Sequence, residues 1–347
     1  MKNKKMIYLI AGILVIIFGV MITLVIVNGK SNSENSDGEK TEEAVKEVEK
    51  KLNIVDLDSN TRPYAVMINN NHAAWPQAGI QDAYLVYEIV VEGGITRMMA
   101  LYKDADTAKI GSIRSSRHYF LDYALENDAI YVHFGWSPKA QSDISSLGIN
   151  NINGLYDSSF WRDTSLNRAY EHTAFTSIEK LNATANSKGY RMESNKDLLL
   201  NYSVDEININ EKEGSVVANN VSIKYSYYHT TSYEYDSVNK VYKRSMSGVA
   251  NTDLETGVQY TAKNIITYQV EDTALADTEN KGRRDLNNIG SGDGYYITNG
   301  YAVPITWEKK SRSSQTVYKY KNGNEINVND GNTFIQIQPV GQTLTIN

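Results

Sequence analysis

Lys2, Lys4 and Lys5 stand ahead of an uninterrupted apolar run from Met6 to Val27, and no other feature limits the fold of this chain so strongly. About 22 apolar residues, as a helix, are long enough to cross a hydrocarbon core of roughly 30 Å. A cleaved signal peptide has a shorter apolar core and a small-x-small cleavage site, whereas this run ends in TLVIVNGKSNS. The reading is an uncleaved signal-anchor transmembrane helix over residues 1–28. Its basic flank stays in the cytoplasm, which makes this a single-pass cell-membrane protein with its C-terminal bulk outside. Residues 29–55 are too polar and charged to offset the entropy of ordering, and read as a linker.

The formal net charge of -6 leaves no general excess of Lys and Arg to displace counterions, so no nucleic acid partner is expected. The chain has no Cys, which excludes disulfides, thiol catalysis, thiolate metal sites and a lipidated N-terminal Cys. Its 5 His contain no H-E-x-x-H pair and no close-spaced cluster. A His-rich metal site would have to be assembled from distant parts of the chain, and neither metal nor cofactor is expected.

The remainder reads as an α+β protein: a mixed α/β first extracellular domain over residues 56–203, then a β-rich second domain over residues 204–347. YAVMIN at Tyr64 to Asn69 is strand-like, and the polar turn Asn69 to His72 ends it. In YLVYEIVVEGG the apolar residues do not alternate cleanly, so strand and helix are both open, and the β-branched content favours a strand. Either period places Glu88 and Glu92 on one face. Gly93-Gly94 predicts a tight turn, with ITRMMALY returning as the hairpin partner and bringing Arg97 beside the acids. KIGSIRSSRHYFLDYALEND runs from a short strand into a helix capped by Ser115 or Ser116. Arg114, Ser115 and Arg117 then sit at a strand-to-helix junction suited to a carboxylate or phosphate.

Beyond residue 204, short Tyr-, Val-, Ile- and Thr-rich runs alternate with turn residues. The 25 Tyr against 6 Phe suit half-exposed sheet first, and a carbohydrate-stacking or partner surface second.

Charge close to apolar sequence is costly unless paired, so the acid and arginine cluster is either an internal ion-pair network or a ligand site. In the ligand reading Glu92 is a general acid or base, Glu88 modulates it, and Arg97, Arg114 and Arg117 hold an anionic group. In the other reading the acids simply pair with the guanidinium groups. His133, within AIYVHFGWSP, is either a satisfied core histidine or a ligand contact. With Ser137 and Asp143 it supplies the residue types of a hydrolytic triad, but no G-x-S-x-G elbow accompanies them. Trp161, Arg162, Asp163 and His172 lie on a loop-rich stretch that forms a cleft wall or plain surface. Trp75 is either a lid over apolar surface or a stacking platform.

Arg62-Pro63, Ala65 to Asn70, Pro76-Gln77, Tyr87-Glu88, Val91 to Arg97, Ile110-Gly111, Arg114-Ser115, Arg117, His133, Gly135, Ser137-Pro138, Trp161 to Asp163 and His172 carry a family likeness. In the second part it continues through Tyr235-Asp236, Tyr242, Arg244, Gly248, Thr256-Gly257, Asn264-Ile265 and Trp307. On these residues the chain resembles the YerB-like family of exported Gram-positive envelope proteins, lipoprotein-like and with a domain of undefined function. The resemblance implies a two-part α+β ectodomain at the cell envelope and carries no activity with it. The chain departs from that pattern in lacking a lipidated Cys and in having Trp75 where an Arg is expected before Pro76-Gln77. The expectation is a membrane-anchored extracytoplasmic protein that binds, and in the stronger form cleaves, a cell-wall glycan or its precursors. The alternative is a non-enzymatic envelope scaffold or protein-interaction module, whose partner is an envelope protein.

Overall fold

Tyr64–Asn69 (β1), Leu85–Val90 (β2) and Thr96–Tyr102 (β3) are buried at every position. This is why YLVYEIV lacks a clean alternation: a strand covered on both faces reads as a continuous apolar run. The computed structural model describes residues 51–276 and 279–347. The expected signal-anchor and the linker as far as residue 50 lie outside the described residues. Among the described residues no helix is long and apolar enough to cross a membrane.

The three strands belong to an eleven-stranded sheet that also contains Ile130–His133 (β4), Asn151–Asn153 (β5), Val216–Val217 (β6), Asn264–Val270 (β7), Gly290–Thr298 (β8), Tyr301–Lys309 (β9), Val317–Tyr320 (β10) and Thr333–Pro339 (β11). Its order is β6-β9-β8-β7-β11-β2-β3-β1-β4-β5, with β10 also on β9. β2 and β3 form the expected antiparallel hairpin, turning at Gly93 and Gly94 with φ of 72° and 74°, values that glycine adopts without a Cβ clash. β11 lies between β2 and β7 and runs parallel to both. The last long strand therefore joins the stretches expected as two domains into one sheet, and the described chain packs as one compact unit. The secondary structure is β-rich with few helices, a mixed α+β fold.

A six-stranded sheet formed largely by residues 220–262 covers one face of β2 and β11. Tyr225 donates from its hydroxyl to the Glu88 carbonyl and Gln336 Oε1, both at 3.0 Å, and Gln336 donates to the Tyr233 hydroxyl at 3.1 Å. Helix Phe120–Glu126 (α1) packs on the opposite face, where the Tyr87 and Tyr123 ring centres are 4.8 Å apart. α1 starts later than the sequence predicts. Its N-cap is Tyr119, without a side-chain bond, and neither Ser115 nor Ser116 caps it. Ser116 instead bridges to Trp136 and accepts from the Tyr131 hydroxyl at 2.9 Å, so residues 114–116 run extended beside 134–136. Pro138–Ser146 (α2) and Ile178–Ser187 (α3) are capped by Ser137 and Ser177, whose hydroxyls accept from backbone N-H groups three residues on.

Candidate functional site

Adjacent strand residues point to opposite faces, and β2 uses this to serve two networks. Tyr87 faces α1 and donates at 2.6 Å to the fully buried Glu126, which also takes Lys309 Nζ at 2.7 Å. Glu88 faces the smaller sheet, and no part of it reaches solvent. Its Oε2 accepts from Arg244 Nη2 at 2.7 Å, while Oε1 meets Thr96 Oγ1 at 2.7 Å, Thr231 Oγ1 at 2.9 Å, Asn70 Nδ2 at 3.1 Å and His229 Nε2 at 3.1 Å. Burial alone would raise the Glu88 pKa, but Arg244 and the converging donors outweigh it and hold the carboxylate well below its usual range. The network continues from Arg244 through Asn251 to Gln77, which donates to Asn70 Oδ1 at 2.8 Å, as does Trp75 Nε1 at 3.0 Å.

Glu92 belongs elsewhere. β2 ends at Val90 and Glu92 already opens the tight turn Glu92–Gly94, so the strand period stops before the second acid can share the Glu88 face. The expectation of one common face is thus corrected: Glu92 turns to the other side, where it bonds Arg117 Nε and lies 3.7 Å from Arg97 Nη2. Arg97 is paired across the strands with Ile89 and Asn69, opposite the Glu88 face, and donates to the Ser115 carbonyl at 2.5 Å. Arg117 donates to the Ser116 carbonyl at 2.8 Å, and Arg114 to the Glu171 carbonyl at 3.2 Å. Arg97 and Arg117 thus gather around Glu92, while Arg114 stands close enough to feel both Glu92 and, more strongly, Glu171. Burial, then the like charge of Arg117, lowers the Arg97 pKa to about 9, so the cluster is under-compensated in negative charge. For Glu92, burial would raise the pKa, but the Arg117 bond and the charges of Arg117 and Arg97 bring it below the ordinary value.

A carboxylate whose folded pKa is depressed stabilises the fold above its unfolded pKa, and that contribution is lost as pH falls through the folded pKa. Glu92→Gln is therefore expected to cost more stability at pH 7 than at pH 3. Urea unfolding at the two values checks this, and equal losses would contradict it.

Other predicted site residues divide between this cluster and the interior. His172 is buried beside Arg114, with Nδ1 2.8 Å from Asn69 Nδ2. Arg162 lies over the rings of Phe134 and Tyr170 at 4.4 and 4.1 Å, and its proximity is felt by Arg114. Asp163 turns away to Lys109 at 2.8 Å, and Trp161 packs on Phe175. His133 is fully buried, with Nδ1 on the Gly135 carbonyl at 2.8 Å and Nε2 on Asn151 Oδ1 at 3.2 Å. Both its nitrogens are engaged in the core, so it does not serve as a ligand contact. The triad types do not assemble either: Ser137 caps α2, and Asp143 pairs with Arg312 at 2.8 Å. Trp75 is half-buried against His72.

Sequence reading missed Asn69, Asn70, His72, His229 and the role of Arg244. The visible signal was the run of three Asn and a His at the end of a strand. Asn70 meets Glu88 and Thr96 within the first segment, but the roles of Asn69 and His72 depend on His172 and His229, more than 100 residues away.

Fold and site together define a mixed α+β protein in which two sequence segments share one sheet and meet over a buried glutamate-arginine pair. Residues 52–191 match the model for the N-terminal domain of a protein of unknown function, DUF3048, and residues 221–335 match that for its C-terminal domain. The chain belongs to this family. It is 32% identical over 284 residues to the protein named "Putative lipoprotein YerB" of Bacillus subtilis (strain 168), spanning 80% of this chain and 81% of that one. The crystal structure of YerB from Bacillus subtilis superposes with a TM-score of 0.70 at 29% identity, covering 82% of this chain and 94% of the other. The YerB-like resemblance read from the sequence therefore holds.

Proposed function

We propose that this chain is an envelope-associated, extracytoplasmic binding protein whose Arg97, Arg114 and Arg117 capture an anionic group on a cell-wall glycan or its precursor. Placement at the envelope draws on the lipoprotein name of the relative and on the apolar run at Met6 to Val27. The observation that carries the reading is the surplus of guanidinium charge around Glu92, half-buried where an incoming phosphate or carboxylate would meet reduced screening. Flanking aromatic surface at Tyr170, 70% exposed and 4.1 Å from the Arg162 guanidinium, suits the sugar part.

The geometry favours binding over cleavage. Glycoside hydrolysis needs one carboxyl group kept protonated at working pH, and both Glu88 and Glu92 are shifted the opposite way. Glu88 is also sealed from solvent.

Among the described residues the Arg114 guanidinium donates only to the Glu171 carbonyl, at 3.2 Å, which leaves it the arginine most available to a ligand. Arg114→Ala is expected to weaken binding of a sugar phosphate by about 10- to 100-fold, the effect of losing a charged hydrogen bond of ~1.5–3 kcal/mol. Calorimetric titration of the purified protein with glucose 1-phosphate and with inorganic phosphate checks it. If the unaltered protein binds neither these nor a carboxylated sugar, the reading is lost.

A further inference from the structure

The loop after β1 holds an arrangement that the arginine cluster does not use. Asn69 Oδ1 accepts from Asn71 N at 3.1 Å, Asn71 Oδ1 accepts from Ala73 N at 2.9 Å, and Arg168 donates to the carbonyls of Ala74 and Pro76, both at 2.9 Å. This fixed loop seats the His72 ring between Trp75 and Tyr228, with ring centres 4.2 and 4.4 Å away. His72 Nε2 lies 3.4 Å from His229 Nδ1, and the ring centres are 5.6 Å apart. The two nitrogens therefore point almost straight at each other.

The order of protons along this row follows from its buried end. A carboxylate only accepts, so His229 Nε2, 3.1 Å from Glu88 Oε1, must carry a proton. Arg244 already balances the Glu88 charge, and a second cation on the fully buried His229 would be uncompensated. Neutral His229 accepts at Nδ1, which makes His72 the donor through Nε2. His72 Nδ1 is left as a lone pair, and it has no hydrogen-bond partner among the described residues. The aromatic row continues past Tyr228 to Tyr227, which is 93% exposed with its ring centre 6.4 Å from that of Tyr228.

We infer that this edge is a sugar-binding subsite for a neutral pyranose unit. His72 Nδ1 accepts a hydrogen bond from a ring hydroxyl, and the exposed Tyr227 face takes the apolar side of the pyranose. The inference rests on the glycan reading above and deepens it. It assigns the anion to the arginine cluster and the uncharged sugar to the opposite side of the β1 end, where Asn69 reaches His172 and Asn70 reaches Glu88. Glu88 and His229 act here as positioning residues that set the His72 tautomer.

The presence of only 5 His in the chain makes imidazole 15N spectra of the purified protein assignable one substitution at a time. Expected are an unprotonated Nδ1 on His72 at pH 7 and a shift of that resonance on adding chitotriose. His72→Phe, which keeps the ring stack, is expected to lower chitotriose affinity at least tenfold and leave phosphate affinity unchanged. A protonated Nδ1, or a His72 signal that chitotriose does not move, overturns the subsite. Phosphate binding with no response to chitotriose sinks this inference and leaves the anion reading standing. A chitotriose response without phosphate binding does the reverse.

Discussion

Glu88→Gln is expected to lower the unfolding free energy by about 3–5 kcal/mol, the usual cost of removing one partner from a buried ion pair. The side chain keeps its size, so the loss reports charge and hydrogen bonding rather than a cavity. Arg244, itself fully buried, would face a neutral amide in place of the carboxylate 2.7 Å away. Its Nε already lacks a hydrogen-bond partner, so no spare contact compensates. Arg244→Met should be similarly costly, because it strands the Glu88 carboxylate among hydroxyl and amide donors. The double variant Glu88→Gln, Arg244→Met should then be destabilised by clearly less than the sum of the two, since it removes both charges together. Urea denaturation of the four proteins gives the coupling directly. A loss below about 1 kcal/mol for Glu88→Gln, the scale of a surface pair, would show that the network does not depend on its charge.

The sequence already contained the hairpin, because Gly93-Gly94 between two apolar runs leaves the backbone little choice. It also contained the caps at Ser137 and Ser177, which are local bonds to N-H groups three residues on. The Arg97, Arg114 and Arg117 gathering was legible for the same reason: all three lie within one short stretch, and one of them faces Glu92 across the turn. The fate of Glu88 was not legible. Strand periodicity can say that residues 88 and 92 would align, but it cannot say that the strand stops at Val90. Nor can it supply Arg244, His229 and Thr231, which come from a sheet formed more than 130 residues later. His133 shows the same limit, since only the positions of Gly135 and Asn151 reveal that both its nitrogens are taken. The change in composition near residue 204 falls between the two family segments, residues 52–191 and 221–335, but nothing local announces that Thr333–Pro339 returns to pair with Leu85–Val90.

That pairing leads to a second large effect. A fragment of residues 51–203 is expected not to fold cooperatively, although it contains one complete family segment. Without β11, the strand Leu85–Val90 becomes a long apolar sheet edge, the kind that pairs with other chains and aggregates. Two buried acids also lose their cations, because Glu88 depends on Arg244 and Glu126 on Lys309 at 2.7 Å. Glu126 would further lose the Thr316 backbone N-H and hydroxyl, at 3.0 and 2.6 Å. An uncompensated buried carboxylate costs several kcal/mol, and two of them approach the whole stability of about 5–15 kcal/mol typical of a domain. The fragment 204–347 suffers in the same way from the other side, with Arg244 and Lys309 stranded. Each fragment alone should therefore give no sigmoidal thermal transition by circular dichroism and should elute as aggregate. Co-expressed, the two should recover a soluble one-to-one complex with a cooperative melt, because every cross-segment bond can then form without a covalent link. A monomeric 51–203 fragment with a sharp transition would mean that the shared sheet is a docking of two independent bodies, and that Glu88 and Glu126 find their stability without the second segment.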